Sequence, residues 1–331
     1  MADIQLRFHN DMLVLSTPIA PQLERIGIDS ARDNELTLLL EPEVMSEAYA
    51  LESAAGAQCV VADTAFMTPA RLAQSNMKGS ADKLAESAIN VASEKNPQHI
   101  LVEIGPCGLP LDVSSKDSLN ENRDQYVRAA KCFSALDPLF DAFFLNGFET
   151  CADLKCALMG LRKVTDKPVF ASVDLAGDDG TLGGKGRETF AQAVQVMAEY
   201  GAQVVGFQVA AAPDVAASFV EEAACASFLP VLAQLQVAKV DPEQNAPTDA
   251  NPYYEPDAMI DAADQLKAAG AQFLRATGNA TPSYTGALVA ATIGDSVVRT
   301  KPFESSTQAS FEDPDELADI LRSRVNEALG N

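Results

Sequence analysis

Tryptophan is absent and histidine occurs only at His9 and His99. Both histidines come just before apolar runs, so neither is expected at the strand ends where a barrel or open sheet keeps its site, and a histidine base or histidine-rich metal cluster is not expected. Positive charge is scarce as well. Lys and Arg total 24 against 47 Asp and Glu, a net charge of −23. A phosphate backbone or an anionic lipid surface would be repelled over most of such a molecule, so neither nucleic acid nor membrane is an expected partner. The acidity reads as a solvated surface, with a basic protein partner as the alternative. No stretch of eighteen uncharged apolar residues occurs, and Met1 to Thr17 lacks the basic start, apolar run and small-residue cleavage site of a signal peptide. A cytoplasmic location is therefore expected. The six cysteines (Cys59, Cys107, Cys132, Cys151, Cys156 and Cys225) include no C-x-x-C pair, which suits reduced, buried thiols better than a disulfide framework.

What the chain has is alternation. Short apolar runs recur at Met12 to Leu15, Cys59 to Ala62, Ile100 to Ile104, Ala142 to Leu145, Val169 to Val173, Val204 to Phe207, Val231 to Val237 and Phe273 to Ala276. They are apolar rather than alternating, as expected of a parallel sheet covered on both faces. Amphipathic helical patterns lie between them, among them residues 42–56, 187–200 and 256–269. Three of these patterns run into a Gly-Ala step, at Gly56-Ala57, Gly201-Ala202 and Gly270-Ala271, where glycine can close a helix in the left-handed region. Strand and helix alternate from end to end, so the expected fold is α/β, a single (β/α)8 TIM barrel over residues 1–331, with a doubly wound open sheet as the alternative. Asp313-Pro314-Asp315-Glu316 opens a last helix at about 313–329. Polar, glycine- and proline-rich loops at 105–120, 176–186 and 240–255 each follow a strand, which puts them on the C-terminal rim. The loop Gly177 to Gly184 lacks the spacing of a phosphate cradle and reads as a mobile rim loop suited to covering a substrate.

Four segments carry a resemblance. They are Gly56-Ala57-Gln58-Cys59-Val60-Val61-Ala62-Asp63-Thr64-Ala65-Phe66, Val102-Glu103-Ile104-Gly105-Pro106-Cys107-Gly108, Lys167-Pro168-Val169-Phe170-Ala171-Ser172-Val173 and Gly201-Ala202-Gln203-Val204-Val205-Gly206-Phe207-Gln208. In order and spacing they resemble the homocysteine S-methyltransferase family, also found as the homocysteine-binding barrel of cobalamin-dependent methionine synthase. The resemblance spans roughly residues 10 to 295 and implies methyl transfer. It also implies Zn²⁺ held by one cysteine after the sixth strand and two after the eighth, so that the substrate thiol reacts as thiolate. Here the first of those positions is Val209 and the pair is Thr277 and Gly278. No thiolate is available there, so zinc is not expected. Asn146 stands where the fourth strand of many members ends in Glu, and Leu15-Ser16-Thr17-Pro18 replaces the family's acidic and glycine-rich first strand end.

The polar residues at the expected strand ends are Ser16, Asp63, Thr64, Glu103, Asn146, Asp174, Gln208, Lys239, Arg275, Thr277 and Asn279. From these, Asp63, Thr64, Glu103, Asn146, Asp174, Gln208 and Asn279 are the candidate binders of a small molecule at the rim. Each also has a plainer use, as a helix or loop cap or in satisfying strand backbone. Three uses of such a site compete. A substitute metal site could form with Cys107 and Cys151 near Asp63, Glu103 or Asp174. Methyl transfer could persist with a different acceptor, Asn146, Asp174 and Gln208 hydrogen-bonding a methyl-bearing heterocycle or a quaternary amine, and a folate or corrinoid as methyl donor. A barrel without chemistry could bind a metabolite or a corrinoid protein as a scaffold, in which case Phe207 and Val209 would plug the rim.

Overall fold

The computed structural model describes residues 3–184, 186–239 and 245–295. Among them are eight strands: β1 (Leu13–Val14), β2 (Cys59–Ala62), β3 (His99–Ile104), β4 (Ala142–Phe148), β5 (Val169–Asp174), β6 (Val204–Val209), β7 (Val231–Val237) and β8 (Phe273–Gly278). All neighbours are parallel, in the order β1-β8-β7-β6-β5-β4-β3-β2. A parallel bridge from Leu15 to Cys59 joins the two ends of that order, so the sheet closes as a (β/α)8 barrel with no free edge along it.

The described helices are α1 (Ala20–Arg25), α2 (Ser30–Leu40), α3 (Pro42–Ala54), α4 (Pro69–Gln74), α5 (Ala81–Ser93), α6 (Lys116–Cys132), α7 (Cys151–Leu161), α8 (Phe190–Glu199), α9 (Pro213–Ala226), α10 (Ala258–Ala269) and α11 (Pro282–Thr292). Proline opens α3, α4, α9 and α11, where its missing N–H costs nothing. The α8 pattern begins three residues later than its periodicity suggests because Thr189 and Gln192 form a reciprocal capping box. Gly270 ends α10 at φ 102, a left-handed value that side chains resist. Gly56 and Gly201, the other two Gly-Ala steps, share that region.

Two cores result from the pleat. Outward residues of the strands pack under the helices; Phe207 of β6, for example, meets Phe190 of α8 at 5.2 Å and Phe219 of α9 at 5.6 Å, edge to face. Inward residues form a separate apolar cluster that includes Leu13, Val61, Leu101, Phe144, Phe170 and Phe273. Phe8 closes it from below, its ring 6.0 Å from Phe170 and 5.9 Å from Phe273.

Several boundaries differ from the sequence expectation, most of them at the rim; β1 is one residue shorter at each end and β3 begins one residue earlier, at His99. β4, β5, β6 and β8 run on to Phe148, Asp174, Val209 and Gly278, past the first polar residue at which an apolar run ends. A polar side chain turned into the barrel mouth is compatible with strand backbone, so apolar runs understate strand length there. The connection from β1 to β2 also holds two helices, α1 and α2, besides the expected α3. Leu36 and Leu40 of α2 are exposed while Leu38 is buried, so the helix carries no clean apolar stripe to read. The expected helix at 313–329 lies outside the described residues.

The loop after β5 is tied down over its described part. Ala176 N–H donates to Thr181 O at 2.9 Å, Gly183 N–H to Asp174 O at 2.8 Å and Gly184 N–H to Glu149 O at 3.1 Å. Those donors are spent on protein carbonyls rather than left to cradle a phosphate.

Candidate functional site

Along five strands the inward positions change from apolar to polar two residues further on. Leu101 is followed by Glu103, Phe144 by Asn146, Phe170 by Ser172, Leu232 by Gln234 and Phe273 by Arg275. Because the side-chain period of a strand is two, these five stack as one polar layer directly above the aromatic plug. They are bonded to one another. Asn146 Nδ2 donates to Glu103 Oε1 at 2.7 Å. Gln234 Nε2 donates to Asn146 Oδ1 and to Ser172 Oγ, both at 2.8 Å. Arg275, 2% exposed, donates from Nε to Ser16 O at 2.9 Å and from one terminal nitrogen to Gln234 Oε1 at 3.3 Å. Its other terminal nitrogen faces Glu103 Oε2 at 3.7 Å, and its guanidinium lies over the Phe144 ring at 5.5 Å. Charge is therefore buried in a pair with its polar atoms engaged, the arrangement that makes such burial tolerable.

Above this layer a cavity of about 620 Å³ opens at the rim between the ends of β2, β3 and β4 and the start of α2. Asn34, Asp63, Phe66, Arg71, Glu103 and Asn146 are among the residues lining it. A smaller recess of about 320 Å³ shares Arg71, Pro106 and Gly147 with it and adds Glu149 and Asp153. Three carboxyls in or near these recesses are raised toward neutrality, Asp153 among them through burial. Burial pushes Asp63 up to about 6; a hydrogen bond from Asn34 Nδ2 at 2.6 Å opposes the rise, while the charges of Glu103 and Glu35 add to it. Burial also pushes Asp174 up to about 6, helped by Glu149 and Glu103. Asp174 Oδ1 is buried and accepts no hydrogen bond within the described residues. Carboxyls near neutrality at a barrel mouth can take up and release a proton at physiological pH.

Three of the seven candidate binders, Asp63, Glu103 and Asn146, line the larger cavity. Asp174 lines neither cavity. Thr64 is buried and its hydroxyl donates to Glu103 O at 2.7 Å, bracing β2 against β3. Gln208 sits in the sheet between Asp174 and Gln234, and Asn279 follows β8 with its N–H on Val237 O; neither is among the residues lining the cavities. Residues missed by sequence reasoning are Asn34 and Glu35 of α2, Arg71 of α4, and Gln234. Only Gln234 leaves a trace, a polar residue at the centre of a strand whose other polar residue is Gln236.

A family model for homocysteine S-methyltransferase matches residues 13–310. The chain belongs to the homocysteine S-methyltransferase family. No curated protein matches it by sequence. Among solved structures, the metallated form of the homocysteine methyltransferase MmuM from Escherichia coli is similar at a TM-score of 0.68 and 17% identity, over 85% of this chain and 96% of that one. The oxidized form of the same enzyme gives 0.68 and 19% over the same shares, and the apo form 0.64 and 17%. Likeness at that identity speaks for the shared barrel.

A zinc site of the homocysteine S-methyltransferase kind takes one sulfur donor after the sixth strand and two after the eighth; the positions that the resemblance assigns to them hold Val209, Thr277 and Gly278. Val209 has no donor atom and is buried in the outer core. Thr277 is buried and its hydroxyl donates to Leu235 O at 3.4 Å. Gly278 has φ 63, and a Cβ built there would lie 2.4 Å from Val237 O, so a cysteine cannot take that place without moving β7. The cysteines considered as substitutes are also poorly placed. Cys107 is buried with its Sγ 3.0 Å from Asn122 Oδ1, and burial pushes its thiol up. Cys151 is pushed up to about 12 by burial and Glu188. Among the described residues no group of three or more His, Cys, Asp or Glu is arranged to hold a metal ion, and no helix is long and apolar enough to cross a membrane. Phe207 and Val209 face the helices, so these two do not plug the rim.

Proposed function

We propose that this barrel transfers a methyl group to or from a small molecule held in the rim cavity, by a route that uses no zinc-bound thiolate. The observation that carries this reading is the open polar cavity at Asp63, Glu103 and Asn146 in a family barrel whose metal positions offer no sulfur. An acceptor with a nitrogen lone pair, an amine or a heterocycle, needs no metal to make it nucleophilic. Its nitrogen bonds to the methyl carbon, the donor's heteroatom or metal centre leaves with the old bonding pair, and the proton released from nitrogen passes to Asp63. A carboxyl near 6 is ionised at pH 7 and basic enough to receive that proton. A folate or a corrinoid, free or carried on a partner protein, is the proposed methyl donor. Asn146 and Glu103 hold the acceptor.

Purified protein is expected to contain no stoichiometric zinc, and one zinc per chain would overturn the reading. In a thermal-shift panel of homocysteine, methylated amines, folates and corrinoids, the amines and one donor class are expected to raise Tm, because a ligand that binds only the folded state stabilises it. Transfer of an isotope-labelled methyl group between those two then distinguishes an enzyme from a binding scaffold. Installing the family's cysteines as V209C/T277C/G278C is expected not to create a zinc site. Gly278→Cys alone should cost about 1–3 kcal/mol in urea denaturation through its positive φ and the contact with Val237 O. Tight zinc uptake by the triple variant would contradict that geometry.

A further inference from the structure

We propose that Gln234 is a positioning residue for this site: through Asn146 it sets the direction in which the Glu103 carboxylate is held at the cavity wall. The inference rests on the cavity being the working site. Gln234 is fully buried and does not line the cavity, so it acts on Glu103 only through its neighbours.

The argument is one of hydrogen-bond polarity. Arg275 has only donors, so the Gln234 atom facing it at 3.3 Å must be the carbonyl oxygen. That leaves the Gln234 amide nitrogen to donate, and at 2.8 Å it meets Asn146, whose facing atom must then be Oδ1. Asn146 Nδ2 consequently points the other way and donates to Glu103 Oε1 at 2.7 Å. Both ambiguous amides are oriented by a cation that cannot lose its proton. The chain closes where Arg275 faces the second Glu103 oxygen at 3.7 Å. The four residues come from β8, β7, β4 and β3, and the link between Gln234 and Asn146 joins positions 88 residues apart. A glutamine that merely filled space would impose no direction on Asn146.

The polarity can be inverted. In Q234E the new carboxylate accepts from Arg275 and also from Asn146, whose amide must turn and present Oδ1 to Glu103, acceptor against acceptor. Q234E is expected to lower Tm by at least about 4 °C. Adding E103Q supplies a donor at position 103, and the double variant is expected to regain at least half of that loss although positions 234 and 103 are not bonded to each other. In an N146A background the recovery should vanish. The side-chain amide cross-peaks of Asn146 in a ¹⁵N NMR spectrum should shift in Q234E and stay shifted in the double variant, where Asn146 remains turned and donates to position 234 instead of position 103. Absence of recovery, or recovery that persists in the N146A background, overturns the proposal; the latter would show a through-space charge effect. If Q234E does not fold, Q234M removes the direction without inverting it, and the Asn146 amide should then exchange faster with solvent. Unchanged exchange also overturns the proposal. None of these readouts involves turnover, so their failure is distinguishable from failure of the methyl-transfer reading.

Discussion

Arg275→Leu is expected to destabilise the fold by about 3–5 kcal/mol, the range for removing one partner of a buried charged pair. The side chain is 2% exposed and joins β8 to Ser16, Gln234 and Glu103 at once. Leucine fills part of the volume over Phe144 but leaves the Glu103 carboxylate without its cation and Gln234 Oε1 without a donor, each at its own desolvation cost. Urea denaturation at pH 7 reads the loss directly. Arg275→Lys should recover part of it, because a point charge can face Glu103 but cannot also reproduce the bonds to Ser16 O and Gln234. A loss below about 1 kcal/mol for the leucine variant would show that water reaches this layer and that the buried-pair account is wrong.

Asp63→Asn is expected to act in the opposite direction on stability while abolishing proton transfer. Burial raises the folded-state value of Asp63 from 3.8 to about 6. Between those values the folded chain holds a proton that the unfolded chain has released, so stability from this group is fully present below about 3.8 and is lost as pH rises through about 6. Above pH 7 the native state carries an ionised, partly buried carboxylate at a cost of about 2–3 kcal/mol, taking about 1.4 kcal/mol per unit. The asparagine variant carries no such cost. At pH 8 it should be the more stable protein by up to that amount, and the advantage should shrink toward zero as pH falls to about 4. The same change removes the proposed proton acceptor, and methyl transfer should fall about 100-fold or more. An asparagine variant no more stable than the parent at pH 8 would mean that solvent or a neighbour already neutralises Asp63. The pairing of greater stability with lost activity is what a site held at the expense of stability produces.

Much of the barrel is legible in the sequence. β2 coincides with its apolar run because both faces of that strand are covered along its length; β7 also matches its run, although Gln236 is exposed. β4, β5, β6 and β8 extend beyond their apolar runs because inward polar residues such as Asn146 and Asp174 end the runs while the backbone is still strand. The site was legible in part for the same reason. Asp63, Glu103 and Asn146 stand out as polar residues ending apolar runs, and all three line the cavity. Asn34, Glu35 and Arg71 do not stand out, since on a short helix at the rim a polar residue is the ordinary case. Thr64 stood out as strongly as Asp63, yet the pleat turns its hydroxyl onto Glu103 O. One step along a strand reverses the face, and a run of residue types does not record which face is inward.

By itself the sequence determined the alternation that makes a barrel and the acidic balance, because these depend on residue type and order alone. Only the tertiary structure decided that Arg275, Gln234, Asn146 and Glu103 form one bonded layer and that Asp63 faces a cavity beside α2. Closing the sheet brings strands far apart in the chain to opposite walls of one barrel. Which side chains then meet is set by the register between strands, a property of the assembled sheet rather than of any one segment.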